Sequence, residues 1–387
     1  MKTSQRGFTL LELLVASSIG LTVILVMMSL FKTGMDASMK VTQRAETQQN
    51  VRAAVELMTK DISLAGGGLP SGGLQLGTAG LSRFACNQAG KCYITGGTYP
   101  NSASGTANYM YAIEPGFAVG VENGAVITAA PGQTNSSITA AYCDYNFPLT
   151  NFNFTIASAT QANVAVINGA VTPNNILAPG GLQVGDLLLF LVSVPGSGAA
   201  GNPNGNSLVQ TAAVVGEITG IPSNTVVNFA TGDALNFNFS NGSNNLASVA
   251  AAVAAAPVGT PAQTSVCRLE VVSYFLEVPV AGGTVQTPRL MRQVNGLNAV
   301  PVADGIINLQ FTYDVINSVT GTVIANVQNP IGAGDSPSLI QKVNIWIMGS
   351  SLTTDGNRSQ SMYLATSVST RDMSFCNSYG SSTTVCQ

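Results

Sequence analysis

The sequence predicts an α+β protein: one long N-terminal α-helix, membrane-spanning in its first half, packed on an antiparallel β-sheet globular domain with large loop-rich insertions. Three observations predict it. Residues 8–31 form an apolar run with a single charge, Glu12. Residues 32–64 continue it without a proline and with apolar residues at helical spacing. After Gly66-Gly67-Gly68 the apolar runs become short, β-branched and aromatic, separated by Gly, Pro, Asn and Ser.

The helix comes first. Phe8–Phe31, FTLLELLVASSIGLTVILVMMSLF, has 24 residues. At 1.5 Å per residue it spans roughly 36 Å, enough to cross the apolar layer of a bilayer. Lys2 and Arg6 precede it, so the positive-inside rule places the N-terminus in the cytoplasm and the bulk of the chain outside. A secretory signal would have a shorter apolar core and a small-residue cleavage site. Beyond Lys32, residues Val51, Val55, Met58 and Ile62 form one apolar stripe, with Arg44, Lys60 and Asp61 read as lying off it. One helix of about 57 residues, roughly 85 Å if straight, accounts for the pattern. Gly20 and Gly34 are its weak points, each costing about 1 kcal/mol relative to alanine. Glu12 is the odd residue. A carboxylate in a membrane helix costs about 2.5 kcal/mol or more near the centre; from position alone, Glu12 reads as an acid near the cytoplasmic interface.

The sheet follows. Strand signals occur at 186–194 (DLLLFLVSV), 211–221 (TAAVVGEITGI), 265–278 (SVCRLEVVSYFLEV), 305–315 (GIINLQFTYDV), 342–348 (KVNIWIM) and 361–370 (SMYLATSVST). The 265–278 run leads through Ala281-Gly282-Gly283 into PRLMRQV at 288–294, a hairpin signature. Alternation places Ile307, Leu309, Phe311 and Tyr313 on one face. In 342–348 it sets Val343, Ile345 and Ile347 opposite Trp346, the single tryptophan. The aromatic residues read as core and sheet packing. Residues 196–207 are a Gly/Asn-rich loop, and 241–257 hold a short alanine-rich helix; both read as spacers.

Composition narrows the chemistry. The chain of 387 residues has no histidine, so Ser-His-Asp and Cys-His triads, His-ligated zinc and imidazole acid–base catalysis are excluded. Only 9 % of residues are charged, and 12 of them fall in residues 1–61. Between Lys91 and Arg268 there is no Lys or Arg. A net charge of −3 supplies no electrostatic attraction for nucleic acid. Glu114, Glu122, Asp144, Asp186, Glu217 and Asp233 are scattered without a glycosidase or phosphate-loop motif. Asp335 and Asp355 lie in turn-rich segments without an EF-hand pattern. The expectation is a non-enzymatic chain without a metal or other cofactor.

Six cysteines, Cys86, Cys92, Cys143, Cys267, Cys376 and Cys386, allow fifteen connectivities. In an outward-facing domain they are expected to form disulfides. Proximity favours Cys86–Cys92 and Cys376–Cys386, leaving Cys143–Cys267.

The N-terminal run Arg6-Gly7-Phe8-Thr9-Leu10-Leu11-Glu12-Leu13-Leu14-Val15-Ala16 resembles the cleavage and methylation motif of type IV prepilins and type II secretion pseudopilins. Arg52–Ile62 and Ala65-Gly66-Gly67 resemble the helix end of PilW- and PulJ-type minor subunits, and Leu290-Met291-Arg292-Gln293, residues 302–315 and Thr370-Arg371-Asp372 resemble PilW-type proteins. The resemblance implies a pilin-like fold divided into a leader at 1–7, a transmembrane and assembly helix at 8–31, and its amphipathic continuation at 32–65. An extracytoplasmic domain at 66–387 follows, with a variable insert at 70–260 and a PilW-like sheet core at 261–387. It implies cleavage by a prepilin peptidase between Gly7 and Phe8, N-methylation of Phe8, and pairing of Glu12 with the first amine of a neighbouring subunit during assembly. The implied function is a minor pilin that primes a type IV pilus at or near its tip. The implied partners are other minor pilins, the major pilin, the inner-membrane assembly platform and a large tip adhesin. A large secretion pseudopilin, or a pilus-mounted adhesin using 70–260, are the alternatives. The implied location is a single pass of the inner membrane before assembly, then the extracellular pilus.

Overall fold

A single helix, Leu10–Leu64, leads into the sheets of the protein in the computed structural model. The structure describes residues 8–70, 73–76, 109–116, 121–122, 135–167, 172–195, 208–238, 245–256, 262–277, 280–281, 284–285, 287–317, 320–330, 337–351 and 361–370. Cys86, Cys92, Cys376, Cys386, Gly7, the 196–207 loop, Asp335 and Asp355 lie outside the described residues.

The helix runs unbroken through Gly20 and Gly34. Its apolar first half, through Phe31, is exposed. Its second half buries Val51, Ala54, Val55, Met58, Asp61 and Ile62. These positions recur every three or four residues, so they share one face. Asp61 therefore lies on the stripe, three residues beyond Met58 and beside Ile62. The sequence reading that set it aside is corrected here, because an acid at a core-facing helical position is carried inward with its apolar neighbours.

The long strand Gln263–Glu277 organises the largest sheet, of eight strands. Along one edge it pairs first with Leu187–Pro195 and then with Arg289–Val294; along the other it pairs with Ser137–Asp144. All three pairings are antiparallel. The sheet core is thus built from both sides of residue 260: Ser137–Asp144 and Leu187–Pro195 come from the segment between 70 and 260 and flank the central strand.

The run at 187–192 is apolar throughout because both of its faces are covered. Leu188, Phe190 and Val192 face one core, with Phe152, Phe154, Phe229 and the helix Leu246–Ala254. Leu187 and Leu189 face another, with Cys143, Phe237, Cys267 and Leu269. Period-2 alternation would have exposed one of these faces; continuous hydrophobicity marks a strand between two layers. Helix Leu246–Ala254 occupies the alanine-rich stretch, capped by Asn245, whose side chain accepts the Ser248 N–H. Its Leu246 and Val249 are buried, so it closes a core.

The last sheet is antiparallel, in the order Val323–Val327, Ile306–Ile316, Ile340–Ser350, Ser361–Ser369. Its inner face, including Leu309, Phe311, Tyr313, Val343, Ile345 and Ile347, packs with the helix stripe and with Val272, Tyr274 and Leu276 in one core. Ile306 joins this core and Ile307 does not. Residue 307 is the extra residue between the pairs Ile306–Gly349 and Asn308–Met348, and such a bulge shifts the alternation by one. Trp346 projects to the opposite face and stacks on Tyr363 at 5.5 Å between ring centroids.

Two glycines permit close approaches along the seam between helix and sheet. A Cβ on Gly349 would lie 2.6 Å from Val51 Cγ2, so the helix rests directly on the strand backbone there. Gly68, at φ +80°, turns the chain after the helix, where a Cβ would meet the Cys143 sulfur at 2.6 Å. Between them the chain is stitched to the sheet: the Gly66 N–H donates to Ala141 O, and the Cys143 N–H donates to Gly67 O.

Candidate functional site

The first turn of the helix carries the residues singled out in the sequence. Phe8 is 81 % exposed and precedes Thr9, the N-cap. The Thr9 hydroxyl oxygen accepts the Glu12 N–H at 3.4 Å. Glu12 Oε2 in turn accepts the Thr9 N–H at 3.0 Å and the Thr9 hydroxyl at 2.9 Å. This capping box satisfies donors at the helix start that have no partner within the helix. Both bonds fall on Oε2, whereas a carboxylate offers about four lone-pair sites. Glu12 therefore retains capacity for a further donor while capping its own helix. The sequence reading gave it one role, and the local geometry adds a second.

The other end of the helix is fastened by a buried polar knot. Asp61 is 2 % exposed. Its Oδ1 accepts the Tyr142 hydroxyl at 3.1 Å, and its Oδ2 accepts the Tyr274 hydroxyl at 2.6 Å and Arg292 Nε at 2.7 Å. The same Tyr142 hydroxyl lies 3.0 Å from Glu270 Oε2, so its one proton is shared between the two carboxylates. Burial and the negative charge of Asp61 push both phenol pKa values upward, so both stay protonated as donors. Burial disfavours the Arg292 charge, but its hydrogen bond to Asp61 and the charge there outweigh this and raise its pKa. The knot joins four elements: the helix, Ser137–Asp144, Gln263–Glu277 and Arg289–Val294. Sequence reasoning missed it. The available signal was an acid set in an apolar helical stripe, which calls for a partner on whatever the stripe packs against.

Further polar pairs fix the sheets. Arg268 pairs with Asp144 directly across the strands, Arg289 Nε with Glu277 at 2.6 Å, and Lys342 Nζ with Asp314 at 2.6 Å. Beside the first of these pairs a disulfide joins Cys143 to Cys267, with 5.7 Å between Cα atoms. In the segment between 70 and 260, Glu217 accepts the Leu235 N–H at 3.0 Å, and Asp233 accepts the N–H groups of Phe237 and Asn238. Burial, with help from the Asp233 charge, pushes the Glu217 carboxyl up to about 7. Burial also raises the Glu114 carboxyl well above the usual range. Among the described residues no group of three or more Asp, Glu or Cys side chains gathers as a metal site would. Of the acids scattered along the sequence, Glu217 and Asp233 are brought together, as are Asp144 and Asp186 near Arg268.

An exposed apolar helix of this length and position is consistent with a single-pass membrane anchor. No curated protein and no solved structure gives a match to the chain. The family model of the prokaryotic N-terminal methylation motif matches residues 2–28, which include Gly7, Phe8 and Glu12. At the head of a long apolar helix that leads into an antiparallel β-sheet domain, the chain carries the processing and methylation motif of type IV pilin-like prepilins.

Proposed function

We propose that this protein is a PilW-like minor pilin, a structural and priming subunit of a type IV pilus with no catalytic activity. The observation that carries the reading is the methylation motif at the head of a helix whose first half is exposed and whose second half is locked to the sheets. A prepilin peptidase cleaves between Gly7 and Phe8, and the new amine of Phe8 is methylated. The mature helix leaves the inner membrane and packs among other minor pilins and the major pilin, at or near the tip. Before extraction the N-terminus faces the cytoplasm and the sheet domain lies outside. The physics of extraction suits this arrangement. A subunit drawn by its helix must transmit force to its domain, and the Asp61 knot joins helix to sheet at the point where the helix ends.

The test is processing together with filament count. Mature protein is expected to begin at methylated Phe8, and Gly7→Glu is expected to leave precursor of full length. Deletion of the gene is expected to abolish or sharply reduce surface pili. Mature protein beginning at Phe8 in the Gly7→Glu strain overturns the cleavage assignment. Normal piliation with lost enzyme secretion identifies a secretion pseudopilin instead, and normal piliation with lost attachment identifies an adhesin.

A further inference from the structure

The outer face of the last sheet, turned away from the helix, has the chemistry of a ligand surface. Trp346 projects from strand Ile340–Ser350 and stacks on Tyr363 of the neighbouring strand, their planes 17° apart. Tyr363 is 67 % exposed. Beside Trp346 an open groove of about 610 Å³ crosses all four strands, lined by Gln310, Thr312, Asn326, Gln328 and Asn344. That volume falls in the about 300–1,000 Å³ range of small-molecule sites.

The polar groups are held in place. Asn344 Nδ2 donates to Asp314 Oδ1 at 2.9 Å and to Asn326 Oδ1 at 3.4 Å; the Thr312 hydroxyl donates to Asn326 Oδ1 at 3.3 Å. The charges beside the groove cancel internally, since Asp314 is engaged by Lys342 at 2.6 Å and by the Asn326 N–H at 3.0 Å. That engagement also holds the Asp314 carboxyl below its ordinary range despite partial burial.

We propose that this face binds a neutral oligosaccharide, with Trp346 as the stacking platform and the amides of Gln310, Asn326 and Asn344 as hydrogen-bonding partners. A sugar ring has an apolar C–H face, which fits an indole, and a rim of hydroxyls that donate and accept. With Asn344 Nδ2 and Asn326 Oδ1 engaged in the internal bonds, Asn344 presents its oxygen as an acceptor and Asn326 its amide N–H groups as donors, so the set matches both halves of the rim where carboxylates or ammonium groups would match only one. Charge complementarity selects against the other occupants. Among the described residues that line the groove, an anionic ligand or nucleic acid would meet no cation. A partner protein docking through an apolar patch would meet mostly amides and hydroxyls, with Trp346 and Ala365 as the apolar exceptions. The site lies outside 70–260 and does not depend on the minor-pilin reading.

Trp346 is the single tryptophan of the chain, so its fluorescence reports this face alone. The experiment titrates the full chain, in micelles of a sugar-free detergent, with maltohexaose, cellohexaose, chitohexaose and mannohexaose, and with a heparin hexasaccharide as the charged control. At least one neutral hexasaccharide is expected to give a saturable emission shift, and heparin none. Tyr363→Ala, which removes the ring that holds the indole in place, and Asn344→Ala, which removes a hydrogen-bonding partner, are expected to weaken it about tenfold each. Tyr363 is exposed, so its replacement leaves the fold intact, and Tyr363→Phe is expected to retain binding. No shift with any of the four neutral probes, equal binding of heparin, or binding indifferent to both alanine variants overturns the proposal. So does an emission change that appears only when other pilin subunits are added, which would make the face a subunit interface.

Discussion

Asp61 on the helix and Arg292 on the sheet, 231 residues apart in the chain, meet in a 2.7 Å ion pair that two tyrosine hydroxyls complete. A buried charge is costly unless its partners are present, so each residue depends on the other. Asp61→Ala is expected to lower unfolding free energy by about 3–5 kcal/mol, toward the lower end because Arg292 keeps some solvent access. Denaturant midpoints of the full chain in detergent measure it. Adding Arg292→Leu to Asp61→Ala should recover part of the loss, since the uncompensated charge is gone. Simple additivity of the two changes would show that the pair is not coupled.

Glu12 caps its own helix through Thr9 and retains room for another donor. If Glu12 pairs with a neighbouring subunit's first amine as proposed, Glu12→Ala is expected to leave cleavage unaffected and to reduce incorporation into filaments, because that amine would lose its acceptor in a water-poor bundle. Glu12→Gln keeps the cap but not the charge, and it should assemble as poorly. Processed protein with normal pilus number in both strains would remove the pairing role.

The Cys143–Cys267 bond ties the strand Ser137–Asp144 to the central strand across a separation of 124 residues. Closing so long a loop restricts the unfolded chain by about 4–5 kcal/mol in the loop-entropy account. The paired change Cys143→Ser with Cys267→Ser is expected to lower stability by up to that amount, read by chemical denaturation. Peptide mapping without reduction should recover the linked pair.

Glu217 carries the clearest pH dependence. Its carboxyl sits at about 7 in the folded protein against an ordinary 4.5. Below 4.5 both folded and unfolded states hold the proton and the group contributes nothing to the pH dependence. As pH rises from 4.5 to 7 the unfolded chain releases its proton first, so stability falls, by about 3 kcal/mol at most, and levels off above 7. Glu217→Gln keeps an acceptor for the Leu235 N–H and should flatten this slope in thermal unfolding measured from pH 5 to pH 8. An unchanged slope would place the titration elsewhere.

How much was legible differed by element. The helix is legible to within two residues at its start, because a predominantly apolar run of 24 residues and a spaced stripe are local signals that no packing partner alters. The strands at 187–195, 263–277, 340–350 and 361–369 were legible from their apolar and β-branched runs. The face assigned to Ile307 was not, because a bulge is set by the register against a second strand. The place of 137–144 was also hidden: its residues carry little apolar bulk, and its position beside the central strand depends on pairing with residues more than 120 positions away.

By itself the sequence determined the long apolar helix and the processing motif, each of which depends on residue types a few positions apart, and its composition alone removed imidazole chemistry. The tertiary structure alone decided that Asp61 is a core residue, that Trp346 and Tyr363 stack on the outer face of the last sheet, and that Ser137–Asp144 and Leu187–Pro195 flank the central strand of the main sheet. These depend on which distant residues become neighbours. A side chain's environment, buried or exposed and paired or open, is a property of the packed face it lands on, and local sequence carries only half of that pairing.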